Sequence, residues 1–225
     1  MRIIFVRHGQ PDYVRNCLTE TGKLQARDTA LRLRGEGIEA IYSSPFGRAL
    51  ETARAAADEL GGMPVQILDF MHELYWGGKD GRPVFEGGSP WHAADEQVRR
   101  GGDLLSADWA EDPLFENNMV VEQAAQVARG IDEWLLTLGF ARDGRYYRRV
   151  SQAETPGCVA LFSHGGSSTA ALARIFGLPF PYLCAILHMP FASLTVVRFT
   201  AKPGERVMPC LELAGDGRHV PYRQE

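Results

Sequence analysis

Residues 158–176, "CVALFSHGGSSTAALARIF", decide the fold of this chain. The first six form its most strongly apolar run and read as a buried, central β-strand. From His164-Gly165-Gly166 onward the pattern is that of a helix. Ligands of open α/β sheets gather at the carboxyl ends of strands. Here that end delivers a histidine followed by glycine, which lets backbone approach a ligand closely. Residues 2–9, "RIIFVRHG", repeat the arrangement with Arg7, His8 and Gly9. One histidine at a strand end is commonly structural, whereas two at matching positions point to a shared site.

The pattern outward from these strands alternates. A helix is expected from about Gly22 to Arg34, with Leu24, Ala30, Leu31 and Leu33 for its buried side and Gly35 and Gly37 ending it. "IEAIYSS" is a short strand stopping at Pro45. Phe46, Ala49, Leu50, Ala53, Ala57 and Leu60 then recur at helical spacing, and "VQIL" is another strand. From 77 to 118 periodicity dissolves, apart from one polar helical run near "AADEQVRR"; so long an irregular stretch suggests a lid. A helical stripe follows from Val120 through Val127 and Trp134 to Leu138. "ARDGRYYRRV" then reads as a hairpin with an Asp-Gly turn, and "ASLTVVRFT" and "VMPCLEL" as closing strands. The expectation is a single α/β domain over 1–225: a three-layer sandwich with a largely parallel central sheet flanked by helices, and a lid insertion at 77–118.

Composition narrows the function classes. The 225 residues are 45% hydrophobic and 23% charged, with a net charge of −4, which argues against nucleic-acid or anionic-membrane partners. Four cysteines lack any CxxC spacing. "MRIIFV" is too short for a signal peptide, and the long apolar stretch "CAILHMPFASLTVV" is broken by His188 and Pro190, so a cytoplasmic setting is expected. His72-Glu73 fails as HExxH because Trp76 stands where histidine is needed, and "LFSHG" fails as GxSxG because Leu161 stands at the first glycine. Neither a metal nor a cofactor is expected.

Two further elements join the histidines. In "YSSPFGRALETARAAA", Arg48 falls in the first turn of a helix, where a cation is electrostatically misplaced unless an anion binds there too. Glu73, in "DFMHELYWGG", supplies a carboxylate at the edge of the lid. Arg7, His8, Arg48, Glu73 and His164 together describe a phosphate site with a nucleophile.

With "RHG", "SSPFGRALETA", "HELYWGGKDG" and "SHGG" in this order between residues 2 and 176, the chain resembles the histidine phosphatase superfamily, the phosphoglycerate-mutase-like fold. The resemblance implies that His8 is a nucleophile forming a phosphohistidine and Glu73 the acid–base carboxylate. It implies that Arg7, Arg48 and His164, with the Gly165 backbone, surround the phosphoryl oxygens. Arg7, Arg48 and His164 are also expected to depress the His8 pKa, and a backbone carbonyl to hold its other ring nitrogen. The family often carries an asparagine about six places after the nucleophile; here Asn16 stands eight places on, with Gln10 as its rival.

In the family's mutases an arginine directly follows the glutamate. Leu74 stands there instead, so a phosphomonoesterase of the histidine acid phosphatase type is expected, acting on a small-molecule phosphate ester. Mutase-type transfer and a non-catalytic phosphate-binding protein are the alternatives, and the chain is expected to be a monomer or homodimer. The family's "GES" is replaced by "NNMVVE", with Glu122 in a similar place. Tyr75, Trp76, Trp91, Trp109, Arg82, Arg99, Arg100, Arg145 and Arg148 are candidates for lining the pocket, and which of them face inward is left open.

Overall fold

The computed structural model describes residues 1–150, 152 and 155–221. In chain order the elements are β1 (Arg2–Arg7), β2 (Pro11–Asp12), β3 (Cys17–Leu18), α1 (Glu20–Leu33), β4 (Ala40–Ser43), α2 (Gly47–Glu59) and β5 (Val65–Ile67). Then come α3 (Pro90–Arg99), α4 (Val120–Thr137), β6 (Phe140–Asp143), β7 (Tyr146–Arg149), β8 (Cys158–Ser163), α5 (Gly165–Phe176) and α6 (Phe180–Ile186). β9 (Leu194–Arg198), β10 (Arg206–Val207) and β11 (Cys210–Asp216) complete the chain.

The main sheet runs β11-β9-β1-β8-β4-β5. β1, β8, β4 and β5 are parallel, while β9 and β11 add antiparallel strands beyond β1. Side chains of a strand alternate between faces, and the core divides accordingly. Ile3, Phe5, Val159 and Leu161 join one buried cluster with Val127, Ile131 and Leu135 of α4 and Leu172 and Ile175 of α5. Ile4, Val6, Ala160 and Phe162 join another with Ala30 and Leu33 of α1 and Ala53, Ala56 and Ala57 of α2. The result is the expected mixed α/β architecture, a mostly parallel sheet between two helical layers. All six residues of β8 are buried, which explains the unbroken apolar run. Among the described residues no single helix is long and apolar enough to cross a membrane.

Three local expectations change. The buried side of α1 holds Gln25, Ala26, Thr29, Ala30 and Leu33, whereas Leu24 and Leu31 are exposed. Gln25 Oε1 accepts from the Gln10 amide at 2.6 Å, so this face supports the loop after His8 as well as the core. "VMPCLEL" is two strands in different sheets: β10 pairs with β7, and β11 with β9, with Pro209 between them lacking the N–H that continuous pairing needs. And α6, with Pro181 in its first turn, occupies part of the apolar stretch ahead of β9.

Within 77–118 the structure is mostly short turns around α3. Fully buried Asn118 ties the segment together: its Oδ1 accepts from the Gly77 and Val120 amides at 3.3 and 3.0 Å, and its Nδ2 donates to Gly88 O at 2.8 Å. The Met119 amide closes on Gly77 O at 2.9 Å. The β6–β7 hairpin, with Gly144 at positive φ in its turn, lies at the far end of α5, where Arg142 donates to Arg174 O. With α5 about 18 Å long at 1.5 Å per residue, that places the hairpin well away from His164.

Candidate active site

Four parallel strands end on one side of the sheet, and each hands over one piece of the site. His8 follows β1, Ser44 follows β4, Glu73 follows β5 by six residues and His164 follows β8. Pairing fixes their relative positions: the His8 amide donates to Ser163 O at 3.0 Å and the Ser44 amide to Phe162 O at 2.8 Å. Arg48 enters on the first turn of α2. Gly47 before it packs against the backbone of Asn16, where a Cβ would lie 2.2 Å from the Asn16 carbonyl oxygen.

The environment of His8 determines its tautomer. Arg48 Nε–H points at His8 Nε2 at 3.2 Å, and a guanidinium only donates, so Nε2 carries the lone pair. Nδ1 therefore holds the proton and donates to Gly9 O at 2.7 Å. Burial pushes the His8 pKa down to about 3, assisted by Arg7 and Arg48 and opposed by the Gly9 carbonyl. The imidazole is neutral, with its free lone pair facing the cationic groups.

His164 is held differently. Its Nε2 meets Ser44 Oγ at 2.7 Å, and its Nδ1 is buried without a partner among the described residues. Burial first, then His8, Arg48 and Arg7, hold its pKa well below the usual range. The two imidazoles meet edge to face with centroids 5.0 Å apart. Arg7 donates from Nη1 to Met189 O at 2.6 Å and lies 4.2 Å over the Phe191 ring, while its Nε is buried and unpartnered. Buried N–H groups without partners are costly unless an acceptor meets them, and phosphoryl oxygens are acceptors.

The helices add to this field. α2 and α5 both begin at the cluster, neither has an acidic residue in its first turn, and neither receives a side-chain hydrogen bond from its N-cap residue. Glu73 Oε1 accepts from the Leu74 and Ser167 amides at 2.9 and 3.2 Å. Burial raises its pKa, while those amides and Arg7 pull the other way. Gly166 leaves room for this carboxylate, since a Cβ there would sit 2.6 Å from Oε1.

Arg7, His8, Arg48, Glu73 and His164 are thus brought together. Asn16 joins them at the end of the β2–β3 turn, in a left-handed conformation (φ 53°), with Oδ1 accepting from Arg48 Nη1 at 2.9 Å. Gln10 Oε1 instead accepts from Thr19 Oγ1 at the start of α1, at 2.7 Å. Gly165 begins α5 beside Arg7, 3.6 Å from the guanidinium to an ideal Cβ. Phe46 and Tyr13 lie against the Arg48 guanidinium, at 5.0 and 5.4 Å to their ring centroids, and like Ser44 and Phe191 they are site neighbours beyond the expected residues. Ser44 had a readable signal, a hydroxyl at a strand end before proline; Phe191, inside an apolar run, had none.

Beside the cluster lies a cavity of about 540 Å³ whose walls include Arg7, Glu73 and Gly165, with Trp76 just before segment 77–118 and Trp91 and Asp95 within it. The expected arginines are elsewhere. Arg82 pairs with Asp80, Arg99 and Arg100 with Glu96, and Arg148 with Asp143, while Arg145 sits on the distant hairpin. Trp109 packs against Phe115 and Phe180, and Tyr75 against His72. Glu122 is exposed and paired with Lys79.

A family model described as the histidine phosphatase superfamily (branch 1) matches residues 3–208. The probable phosphoglycerate mutase GpmB of Yersinia enterocolitica is 25% identical over 98% of this chain and 95% of its own length. Among solved structures, mycobacterial glucosyl-3-phosphoglycerate phosphatase superposes with a TM-score of 0.64 and 24% identity, covering 95% of this chain and 98% of that one. Phosphoserine phosphatase from Entamoeba histolytica, in complex with 3-phosphoglyceric acid, gives 0.63 and 22%, covering 97% and 98%. At those identities the likeness to the solved structures is one of fold.

Proposed function

The chain belongs to the histidine phosphatase superfamily (branch 1), and on that premise we propose that it is a phosphomonoesterase working through a phosphohistidine on His8. The observation that carries the proposal is the tautomer of His8. With Nδ1–H committed to Gly9 O, the lone pair on Nε2 faces Arg48 inside a buried cationic cluster. A phosphate group entering there takes the arginine N–H donors onto its oxygens and meets that lone pair.

Nε2 attacks phosphorus as the P–O bond to the leaving alcohol breaks. The departing oxygen takes a proton from Glu73, whose raised pKa favours the acid form. Water then attacks the phosphohistidine, gives its proton to the Glu73 carboxylate, and phosphate leaves with His8 neutral again. Arg7, Arg48 and His164 stabilise the charge on the transferring group, and removing one such donor costs on the order of 10²–10³ in rate. Asn16 holds Arg48 in position and reaches the same oxygens.

Hydrolysis is favoured over mutase-type transfer because a second acidic group finds no partner near Glu73. Leu74 is buried in the core, and the lid's contribution to the cavity includes Asp95 and no arginine or lysine. Segment 77–118 serves as the lid. A cytoplasmic setting accords with four free cysteines among the described residues. Brief mixing with a radiolabelled aryl phosphate tests the mechanism: an acid-labile, alkali-stable phosphoenzyme is expected in the wild type and none in His8→Ala. Turnover without label, or label surviving in His8→Ala, would overturn the nucleophile assignment.

A further inference from the structure

We propose that the cavity selects phosphate esters whose leaving alcohol carries a cationic nitrogen, with Asp95 as the residue that reads the charge. The inference rests on the phosphatase reading for the placement of the phosphate and names the substrate class of that site. α3 is the element that carries it. Trp91 and Asp95 are four residues apart, so they share one face of the helix, and both line the cavity. Trp76 meets Trp91 edge to face at 5.6 Å between centroids, so two indole planes stand nearly perpendicular on the cavity wall.

The charged side chains of α3 differ in their partners, and Arg99, one turn on from Asp95, is engaged with Glu96. Glu96 is paired with both Arg99 and Arg100. Asp95 makes no ion pair or side-chain hydrogen bond with any described residue. The acidic side chain facing the cavity is therefore the uncommitted one, and the helix's arginines are occupied elsewhere. Around the cavity Arg7 supplies the positive charge and Glu73 and Asp95 the carboxyl groups; His188 also lines it. Arg7 belongs to the phosphate clamp. A substrate carrying a second anionic group on its alcohol would meet Asp95 and two indoles, none of which offers it a cation. An ammonium or quaternary ammonium group meets a carboxylate beside the indoles of Trp76 and Trp91, and carboxylates with aromatic rings are a setting in which such cations bind.

The test separates binding from turnover. Calorimetry on His8→Ala, which holds ligand without consuming it, compares phosphocholine and phosphoethanolamine with glycerol phosphate and 3-phosphoglycerate. The cationic esters are expected to bind about tenfold more tightly than the neutral one, with the anionic ester weakest. Asp95→Asn should erase the ratio between cationic and neutral esters, and Asp95→Lys should reverse the order in favour of 3-phosphoglycerate. Equal affinities, or a preference unchanged in Asp95→Asn, would overturn the proposal even with aryl phosphate turnover intact. Loss of the phosphoenzyme in the labelling experiment, with the cationic preference present here, would instead remove the catalytic reading and leave the recognition site standing.

Discussion

The ends of β1 and β8 are near copies in sequence, an apolar strand running into histidine and glycine, yet the two imidazoles are set up for different work. His8 gives its Nδ1 proton to the next carbonyl and aims an unprotonated Nε2 at Arg48. His164 spends Nε2 on Ser44 and keeps a buried Nδ1 without a partner among the described residues. In the proposed mechanism the first ring, whose remaining nitrogen is a lone pair, attacks, and the second, with capacity left to hydrogen-bond, steadies what is attacked. The distinction comes from what each strand end touches: a carbonyl one residue on for His8, and a hydroxyl from β4's end for His164.

The largest expected effect breaks the pair apart. His8→Ala should lose turnover by about 10⁴-fold or more and lose all labelling. His164→Ala should fall by roughly 10²-fold and still label. Equal losses, or labelling abolished in both, would erase the distinction; radiolabelled phosphoenzyme and steady-state rates measure it. Next is Gly166→Ala, on the β8 side alone. Its Cβ would intrude on the Glu73 carboxylate, and kcat for alkyl phosphates should drop by roughly tenfold to a hundredfold. Aryl phosphates, with better leaving groups, should lose less.

The pH profile sharpens the same comparison. Because burial holds His8 near 3, its protonation should not produce an acid limb in kcat/KM near the ordinary histidine value of about 6.5. The alkaline limb should follow Glu73, whose raised pKa loses its proton as pH climbs, and Glu73→Gln should remove that limb. Stability has its own sign. Both histidines have folded pKa values below those of the unfolded chain, so the unfolded chain binds more protons and stability declines as pH falls from about 6.5 towards 3. Denaturant titrations of His164→Asn should show a shallower decline.

Smaller effects close the series. Asn16→Ala frees Arg48 on the β1 side and should raise KM about tenfold with little change in kcat. Arg148→Ala, on the hairpin beyond the far end of α5, should leave kcat/KM within about twofold.

Much of this architecture was readable from residues whose local pattern and tertiary role coincide. Ile3 to Val6 alternate between two cores, and Val120 to Leu138 pack as a stripe, as their spacing requires. Arg48 could be found because a cation at a helix start conflicts with the helix dipole. Glu73 needed the resemblance as well, since a glutamate in a loop has no pattern of its own. Leu24 and Leu31 misled because Gln25 and Thr29 take the inner face for hydrogen bonding, a tertiary demand that hydrophobic periodicity does not register. Arg82, Arg99 and Arg100 in segment 77–118 have a charge suited to phosphate, but their partners are set by neighbours such as Asp80 and Glu96. Asn16 was displaced only in count: the β2–β3 turn, with Asp12 Oδ1 accepting from the amides of Val14 and Arg15, brings it back to Arg48.

The tie made by Asn118 decides where the segment can be altered. A single side-chain amide joins Gly77, Gly88 and Val120, so the segment leaves and rejoins the fold at one point. The strands that carry His8, Ser44 and His164 have no share in that tie. Between 77 and 118, exposed positions such as Val98 and Leu105 can be altered without loosening that anchor, whereas Ala93, Ala94, Leu114 and Phe115 are packed into the core shared with α4 and α5 and are constrained with it. Substitutions at Trp91 or Asp95 thereby leave the hydrogen bonds that hold His8 and His164 untouched.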